Sequence, residues 1–203
     1  MAKSDIQHQL ITAAINKGMS YPDYREKVKE TVRSGPASGE NGDDSLLHYT
    51  RLNDKRMDRL DKTLSLPPEA VKKVKAFDKE VTWLILTEGW CGDAAQTLPV
   101  IRKIAELNPH ITMKLVWRDE NLALMDLFLT RGTRSIPKLI MVDNNTKEVL
   151  HTWGPRPYVA MEKVNAFKEK HGKLTPEFKE ELQRWYNKDK GKTTVKDLLE
   201  LLS

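Results

Sequence analysis

One cysteine stands where its sulfur could do chemistry. Cys91 follows a short, nearly continuous apolar run within residues 81–86 and precedes a segment with helical periodicity at residues 94–107. A cysteine between a buried strand and the start of a helix faces unpaired backbone N–H groups and the positive end of the helix dipole, and both favour the thiolate. The thiolate is the form that attacks disulfides, peroxides and electrophiles. The spacing therefore predicts an exposed thiol with some reactivity.

Two carboxylates close to Cys91 in the sequence oppose thiolate formation. Glu88 and Asp93 place negative charge beside the thiol, and a nearby negative charge penalises a second one. We therefore expect the pKa of Cys91 to lie only modestly below the ordinary value of about 8.5. Gly92 gives the turn the backbone freedom that close approach of a ligand or partner requires.

The residue inventory excludes several other chemistries. Cys91 is the only cysteine among 203 residues, which rules out an intramolecular disulfide and argues against a cysteine-based structural zinc site. Asp43 and Asp44 lack the alternating acidic ligands of a calcium loop, and no Walker or dinucleotide fingerprint occurs. We expect no metal and no cofactor, because metal-ligand spacing is also missing from the five histidines, His8, His48, His110, His151 and His171.

Composition and charge describe an ordinary globular protein. The sequence holds 34 basic and 29 acidic residues, a net charge of +5, and 39% hydrophobic residues. The positive charge is spread thinly, so we expect no nucleic-acid partner. No apolar stretch is long enough for a membrane span and the first residues form no signal-peptide core, so we expect a cytoplasmic protein without membrane contact. The oligomeric state stays open.

Helical periodicity predicts that the first 78 residues are mostly helix. The sequence predicts two helical pieces within residues 5–33, with Ser20 as the N-cap before Pro22 opens the second. Residues 34–45 have the composition of a mobile loop or linker and suggest a boundary near residue 40. Two further helices are predicted at residues 46–60 and 67–77.

The pattern changes to alternating strands and helices after residue 80. Strands are predicted at residues 81–86, 111–117, 138–142 and 148–153, the last two as an antiparallel hairpin. The helices predicted among and after them lie at residues 94–107, 121–129, 158–170, 176–187 and 193–202. This order predicts a mixed sheet with helices on both faces.

A combination of motifs resembles the thioredoxin family over about residues 65–170. The motifs are Gly89-Trp90-Cys91-Gly92-Asp93-Ala94 after a buried strand, Pro99 eight residues beyond the cysteine, and Gly132-Thr133-Arg134-Ser135-Ile136-Pro137 before another strand. The nearest likeness is the bacterial branch with a Trp-Cys-Gly-Asp motif and long helical extensions. The resemblance implies an α/β thioredoxin-like fold at residues 65–172, a helical N-terminal extension at residues 1–64 and a helical C-terminal extension at residues 173–203.

The resemblance also implies particular roles for site residues. It implies that Cys91 is the catalytic thiol and that the Ile136–Pro137 bond, which faces Cys91, is cis. A cis bond is chemically reasonable at this position because X-Pro peptides have a small cis penalty. Trp90 either lies beside the site as a shield and contact surface or is a core aromatic. Arg134 either lies near Cys91 or is solvated, and Arg118 and Asp119 could border the same face. The residues expected to shape the site or bind a partner are Trp90, Gly92, Asp93, Ala94, Arg134, Ile136 and Pro137.

Two departures from the family pattern limit the function that carries over. Ala94 stands where the family has its second, resolving cysteine, and Ile85 stands where it has a buried acidic residue that assists that cysteine. The dithiol reductase mechanism is therefore not expected. A mixed disulfide on Cys91 must be resolved by an external thiol, or it persists.

Three functions stay open at this point. The first is a monothiol redox protein that exchanges with a protein or a low-molecular-weight thiol or disulfide. The second is a redox-inactive module that grips an extended peptide or partner protein between Trp90 and the Pro137 loop. The third is iron-sulfur or metal ligation by Cys91 across a dimer with an external thiol, as in some monothiol glutaredoxins. Whether the chain is an enzyme depends on which of these holds.

Overall fold

The computed structural model describes residues 3–35 and 44–203. Within that part, the N-terminal region forms four helices, α1 at Lys3–Lys17, α2 at Tyr21–Ser34, α3 at Asp44–Thr63 and α4 at Pro68–Ala76. The predicted loop over residues 34–45 and its boundary near residue 40 lie mostly outside the described residues. Ser20 is the N-cap of α2 as predicted, because its side chain accepts from the backbone N–H of Asp23 while the Asp23 carboxylate accepts in return.

The centre of the protein is a mixed four-stranded sheet. Its strands are β1 at Val81–Thr87, β2 at Ile111–Trp117, β3 at Lys138–Asp143 and β4 at Val149–Trp153, in the order β2-β1-β3-β4. Strand β1 pairs parallel to β2 and antiparallel to β3, and β3 and β4 form the predicted antiparallel hairpin. Every residue of β1 is buried, which explains its nearly continuous apolar sequence.

The remaining helices are α5 at Gly92–Ala105, α6 at Leu122–Met125, α7 at Tyr158–His171, α8 at Pro176–Asp189 and α9 at Lys192–Glu200. Helix α6 is shorter than the predicted 121–129. Its chain tightens into turns in which Leu127 N–H donates to Leu124 and Phe128 N–H donates to Met125, three residues back, so the apolar sequence does not continue as α-helix. Pro99 lies inside α5.

Both terminal extensions pack against the sheet domain. One buried apolar cluster contains Ile11 and Met57 from the N-terminal helices, Leu84 from β1, and Leu198 from α9. A second cluster joins α7 to α8, and its members are Ala160, Val164, Phe178, Leu182 and Tyr186. The extensions are therefore in direct contact with the elements that hold Cys91.

Arg25 fastens α2 to α3 through carboxylates. Its guanidinium lies 2.8 Å from Asp54, 2.7 Å from Asp58 and 3.7 Å from Asp61, and its side chain is buried. A buried cation that serves three carboxylates is costly to remove, because the carboxylates then repel one another.

Replacing Arg25 by methionine is expected to lower the free energy of unfolding by about 2 kcal/mol, since methionine keeps the apolar stem and loses the charge. Urea denaturation measures the loss. The matched control is Arg33→Met, because Arg33 makes only an exposed ion pair with Glu26 and should change stability by less than about 1 kcal/mol. Equal effects of the two substitutions would contradict the importance of the buried position.

Candidate functional site

Cys91 begins helix α5 and faces the Pro137 loop. It is the N-cap residue, and its sulfur accepts a hydrogen bond from the backbone N–H of Ala94 at 3.4 Å. The thiol donates to the backbone oxygen of Ile136 at 3.3 Å, and the Ile136–Pro137 peptide is cis. The structure thus brings Cys91 and Ala94 against the Ile136–Pro137 pair, although Cys91 and Ile136 are 45 positions apart in the sequence.

The Cys91 thiol is buried, which corrects the expectation of an exposed thiol with a modestly lowered pKa. Its residue is 7% exposed, and burial raises the pKa of the thiol to about 12, with the Asp93 carboxylate adding to the rise. Hydrogen bonds from the Ala94 and Asp93 backbone and the charge of Arg156 act in the other direction. Loss of water around the sulfur outweighs the helix N-terminus, because desolvation can shift a pKa by several units.

Asp93 is buried beside the thiol in a charged cluster. Its carboxylate lies 2.7 Å from the Arg156 guanidinium and accepts a hydrogen bond of 2.9 Å from the Tyr186 hydroxyl. Burial raises the pKa of Asp93, while the contacts with Arg156 and Tyr186 favour its ionised form. Burial also raises the pKa of Tyr186 well above its ordinary value, so the phenol stays a hydrogen-bond donor. We call these three residues the Asp93 cluster.

The turn before α5 is covered by the terminal extensions. A Cβ atom at Gly92 would lie 3.2 Å from Gln183 Nε2 of α8 and 3.7 Å from Arg56 Nη1 of α3. Gln183 is held in place because its Oε1 accepts from Gln96 Nε2 at 2.9 Å. The absence of a side chain at Gly92 therefore leaves room for close packing against the protein's own helices.

Helix α3 also holds the loop that precedes the cysteine. Asn53 donates from Nδ2 to the backbone oxygen of Gly89 at 3.0 Å, and Arg56 donates to Asn53 Oδ1 at 2.9 Å. Asn53 is completely buried, so its amide needs this partner and the hydrogen bond holds the loop against α3. Helices α3 and α8 therefore cover the Cys91 turn from both extensions.

Trp90 is half-buried. It packs against the apolar core, and the Arg118 guanidinium lies 5.1 Å from its ring centroid in a cation–π arrangement. Asp119, which follows Arg118, donates its backbone N–H to Glu88 at 3.0 Å. Arg118 and Asp119 therefore border the loop that carries Trp90.

Arg134 makes its ion pair away from the thiol. It is exposed and bound by two hydrogen bonds, of 2.6 and 2.7 Å, to the Asp126 carboxylate. Arg156 is instead the arginine whose charge acts on Cys91. Arg156, Gln183 and Tyr186 belong to no sequence motif and were not among the predicted site residues. The inward spacing of Tyr186 with Leu182 on the predicted helix 176–187 signals burial, but nothing in the sequence pairs it with Asp93.

The Glu88 carboxyl, like that of Asp93, has a raised pKa. Burial raises its pKa to about 7, and the hydrogen bond from Asp119 N–H partly offsets the rise. A carboxyl with a raised pKa contributes stability below its unfolded pKa of about 4.3 and loses it as the pH rises through about 7. Glu88 therefore weakens the fold above neutral pH.

Substituting Glu88 by glutamine is expected to stabilise the protein by about 1 kcal/mol at pH 8, after allowance for solvent screening, and by less at pH 5. Glutamine keeps an oxygen that accepts from Asp119 N–H. Denaturation curves at the two pH values give the comparison, and Glu26→Gln, at an exposed carboxyl whose pKa is lowered by Arg33, should show no gain. A gain of equal size at pH 5 and pH 8 would contradict the assignment.

The described residues hold neither a metal cluster nor a spanning helix. Within residues 3–35 and 44–203, no group of three or more histidine, cysteine, aspartate or glutamate side chains is placed to hold a metal ion. No helix in the same residues is both long and apolar enough to cross a bilayer.

Two features together define a thioredoxin-like protein. One is the mixed sheet in the order β2-β1-β3-β4, and the other is a cysteine that starts a helix and faces a proline loop. A family model described as Thioredoxin matches residues 39–170, more than half of the chain. The chain belongs to the thioredoxin family.

Two solved structures share the fold. One is a Pseudomonas aeruginosa protein of unknown function, with a TM-score of 0.58 and 15% identity over 93% of this chain and 94% of that one. The other is an HIV epitope-scaffold, with a TM-score of 0.55 and 14% identity over 94% of this chain and 96% of that one. At these identities the likeness shows the fold alone. The sequence matches none of the curated proteins compared with it.

Proposed function

We propose that this chain is a monothiol thiol–disulfide exchange protein whose Cys91 is protonated and covered at rest. The observation that carries the proposal is the placement of the thiol at the start of α5, against Ile136, with the buried Asp93 cluster beside it. Groups with strongly shifted pKa values that gather around a nucleophile are typical of functional sites. A buried ion pair contributes little net stability, so stability alone gives no reason for the cluster.

The exchange has two steps. The Cys91 thiolate attacks a disulfide, forms a mixed disulfide with one half and releases the other half as a thiolate, which takes up the proton that Cys91 lost. A second thiol then attacks the mixed disulfide, releases the bound half as a new disulfide and regenerates Cys91. The disulfide and the second thiol both come from outside, as a protein or a low-molecular-weight compound, because Ala94 replaces the resolving cysteine.

The resting site requires a change before the first step. A thiol whose pKa burial raises to about 12 is almost wholly protonated at pH 7. Arg156, Gln183 and Tyr186 contribute to the cover, so movement of α8 and of the segment that carries Arg156 would admit both water and the substrate. Hydration and the charge of Arg156 would then favour the thiolate.

A redox-inactive binding module is the second candidate. The observation that favours it is the 7% exposure of Cys91, which describes a thiol that behaves as a small core residue. In that case the covered thioredoxin fold would present its outer surface to a partner, and Cys91 would only pack.

Native alkylation tests the proposal against this alternative. Iodoacetamide labelling of the wild type is measured by intact mass between pH 7 and 11, with urea-unfolded protein as reference and Cys91→Ser as the blank. A mixed disulfide with bis(2-hydroxyethyl) disulfide is followed in parallel, and a small thiol is added to release it. The proposal expects labelling far slower than in the unfolded chain but faster than global unfolding, together with a releasable mixed disulfide.

The alternative makes a different prediction for both measurements. If labelling is no faster than global unfolding and no mixed disulfide forms, the thiol is inert, the exchange proposal fails, and the binding module is the candidate that is left. Labelling of native protein at the rate of unfolded protein would contradict the covered resting state itself.

A further inference from the structure

A groove separate from the Cys91 turn opens between the N- and C-terminal extensions. It has a volume of about 980 Å³ and lies among the end of α3, the segment 64–67, the start of α4 and the turn from α8 to α9. Volumes of this order are typical of small-molecule sites. Tyr186 of the Asp93 cluster lies at its edge, but Cys91, Asp93 and Arg156 do not line it, so thiol exchange does not account for the groove.

The floor of the groove is hydrocarbon. Leu60, Leu64 and Val195 are buried side chains that line it, and Leu66 and Leu199 are half-buried and continue the same surface. A concave apolar surface of this size favours the burial of an alkyl chain, because the hydrophobic effect grows with the apolar area removed from water.

The rim of the groove is cationic. Arg59, Lys190, Lys192 and Lys196 line it with exposed side chains, whereas Glu69 is the one carboxylate among its lining residues. In the described part of the chain none of the four cations forms an ion pair. Arg59 donates from Nη2 to Asn187 Oδ1 at 2.6 Å, which holds its guanidinium at the rim.

We propose that this groove binds a single-chain amphiphile with an anionic head group. The apolar floor takes the alkyl chain, and the four cations at the rim take the head. A neutral chain would leave the cations without a counter-charge, and a cationic head would be repelled. Carboxylate and phosphate heads share this chemistry, and arginine can bind either in a bidentate manner.

Calorimetric titration of the full chain tests the proposal. The probes are decanoate, decyl phosphate, decyltrimethylammonium and butyrate, each below its micelle concentration. We expect saturable 1:1 binding of the two anionic ten-carbon probes, and the tighter of them identifies the preferred head. Butyrate and decyltrimethylammonium should bind at least tenfold more weakly, because one lacks the chain and the other carries the wrong charge.

Two variants separate the rim from the floor. K192E/K196E reverses two rim charges and should weaken the anionic probes at least tenfold, whereas the control K179E/K188E alters exposed lysines outside the lining and should not. Leu66→Gln, in a segment outside the helices, should weaken decanoate without a change in helix content. The proposal is overturned if the wild type shows no saturable binding, if decyltrimethylammonium binds as tightly as decanoate, or if both variants retain wild-type affinity.

Discussion

Replacing Asp93 by asparagine is expected to lower the pKa of Cys91 by about 1 to 3 units. The carboxylate is a charge that raises the thiol pKa, and Arg156, 2.7 Å from that carboxylate, is a charge that lowers it. Asparagine removes the carboxylate charge and leaves the charge of Arg156 in place, and its amide oxygen still accepts a hydrogen bond from Tyr186. Because the thiolate fraction rises tenfold per unit, iodoacetamide labelling of Cys91 at pH 8 should accelerate by about 10-fold to 1000-fold.

The midpoint of the labelling pH profile distinguishes a charge effect from simple loosening of the site. A charge effect moves the midpoint to lower pH, whereas loosening raises the rate at every pH without moving it. Asp126→Asn is the matched control, because Asp126 pairs with Arg134 in an exposed position and should leave the midpoint in place. An unchanged midpoint in Asp93→Asn would mean that Asp93 is already neutral in the wild type.

Replacing Gly154 by alanine is expected to cost more than about 4 kcal/mol of folding free energy. The residue has φ +107°, which L side chains rarely adopt, and a Cβ atom there would lie 2.2 Å from the backbone oxygen of Pro137. The clash involves backbone on both sides, so a rotamer change cannot relieve it. The Pro137 segment must shift, and with it the Ile136 oxygen that accepts from Cys91.

Gly172→Ala supplies the comparison for backbone strain without a clash. Gly172 has φ +75°, and a Cβ there would meet nothing within 4 Å. Its substitution should cost about 1 kcal/mol. Thermal and urea denaturation measure both variants, and Cys91 labelling at a pH where both are folded reports on the Pro137 segment. Equal stability of the two variants would contradict the close contact between Gly154 and Pro137.

The sheet domain could be predicted from local sequence because each of its elements carries its own signal. The buried run at β1 reflects a strand covered on both faces, and the change from apolar run to helical periodicity at Cys91 marks the start of α5. The Asn144 turn likewise marks the β3–β4 hairpin. These signals depend on neighbours a few residues away, so no long-range information was needed.

The state of the thiol could not be predicted in the same way, because it depends on contacts between distant residues. Tyr186 reaches Asp93 across 93 positions of the chain. Periodicity shows that one face of α8 is buried but does not show which surface covers it. The choice between Arg134 and Arg156 as the cation near Cys91 likewise depends on loop geometry rather than on a motif.

Helix α8, which covers the Cys91 turn, lies outside the part of the chain that the family model matches. The family match ends at residue 170, whereas Gln183 and Tyr186 lie beyond it, on α8. A relative can therefore inherit the whole matched region, with its Trp-Cys-Gly-Asp sequence intact, and differ in thiol acidity because its tail differs. If the segment after residue 170 is exchanged between two such relatives, we expect the pKa of the thiol to follow the exchanged segment. The Trp-Cys-Gly-Asp motif alone does not determine that pKa.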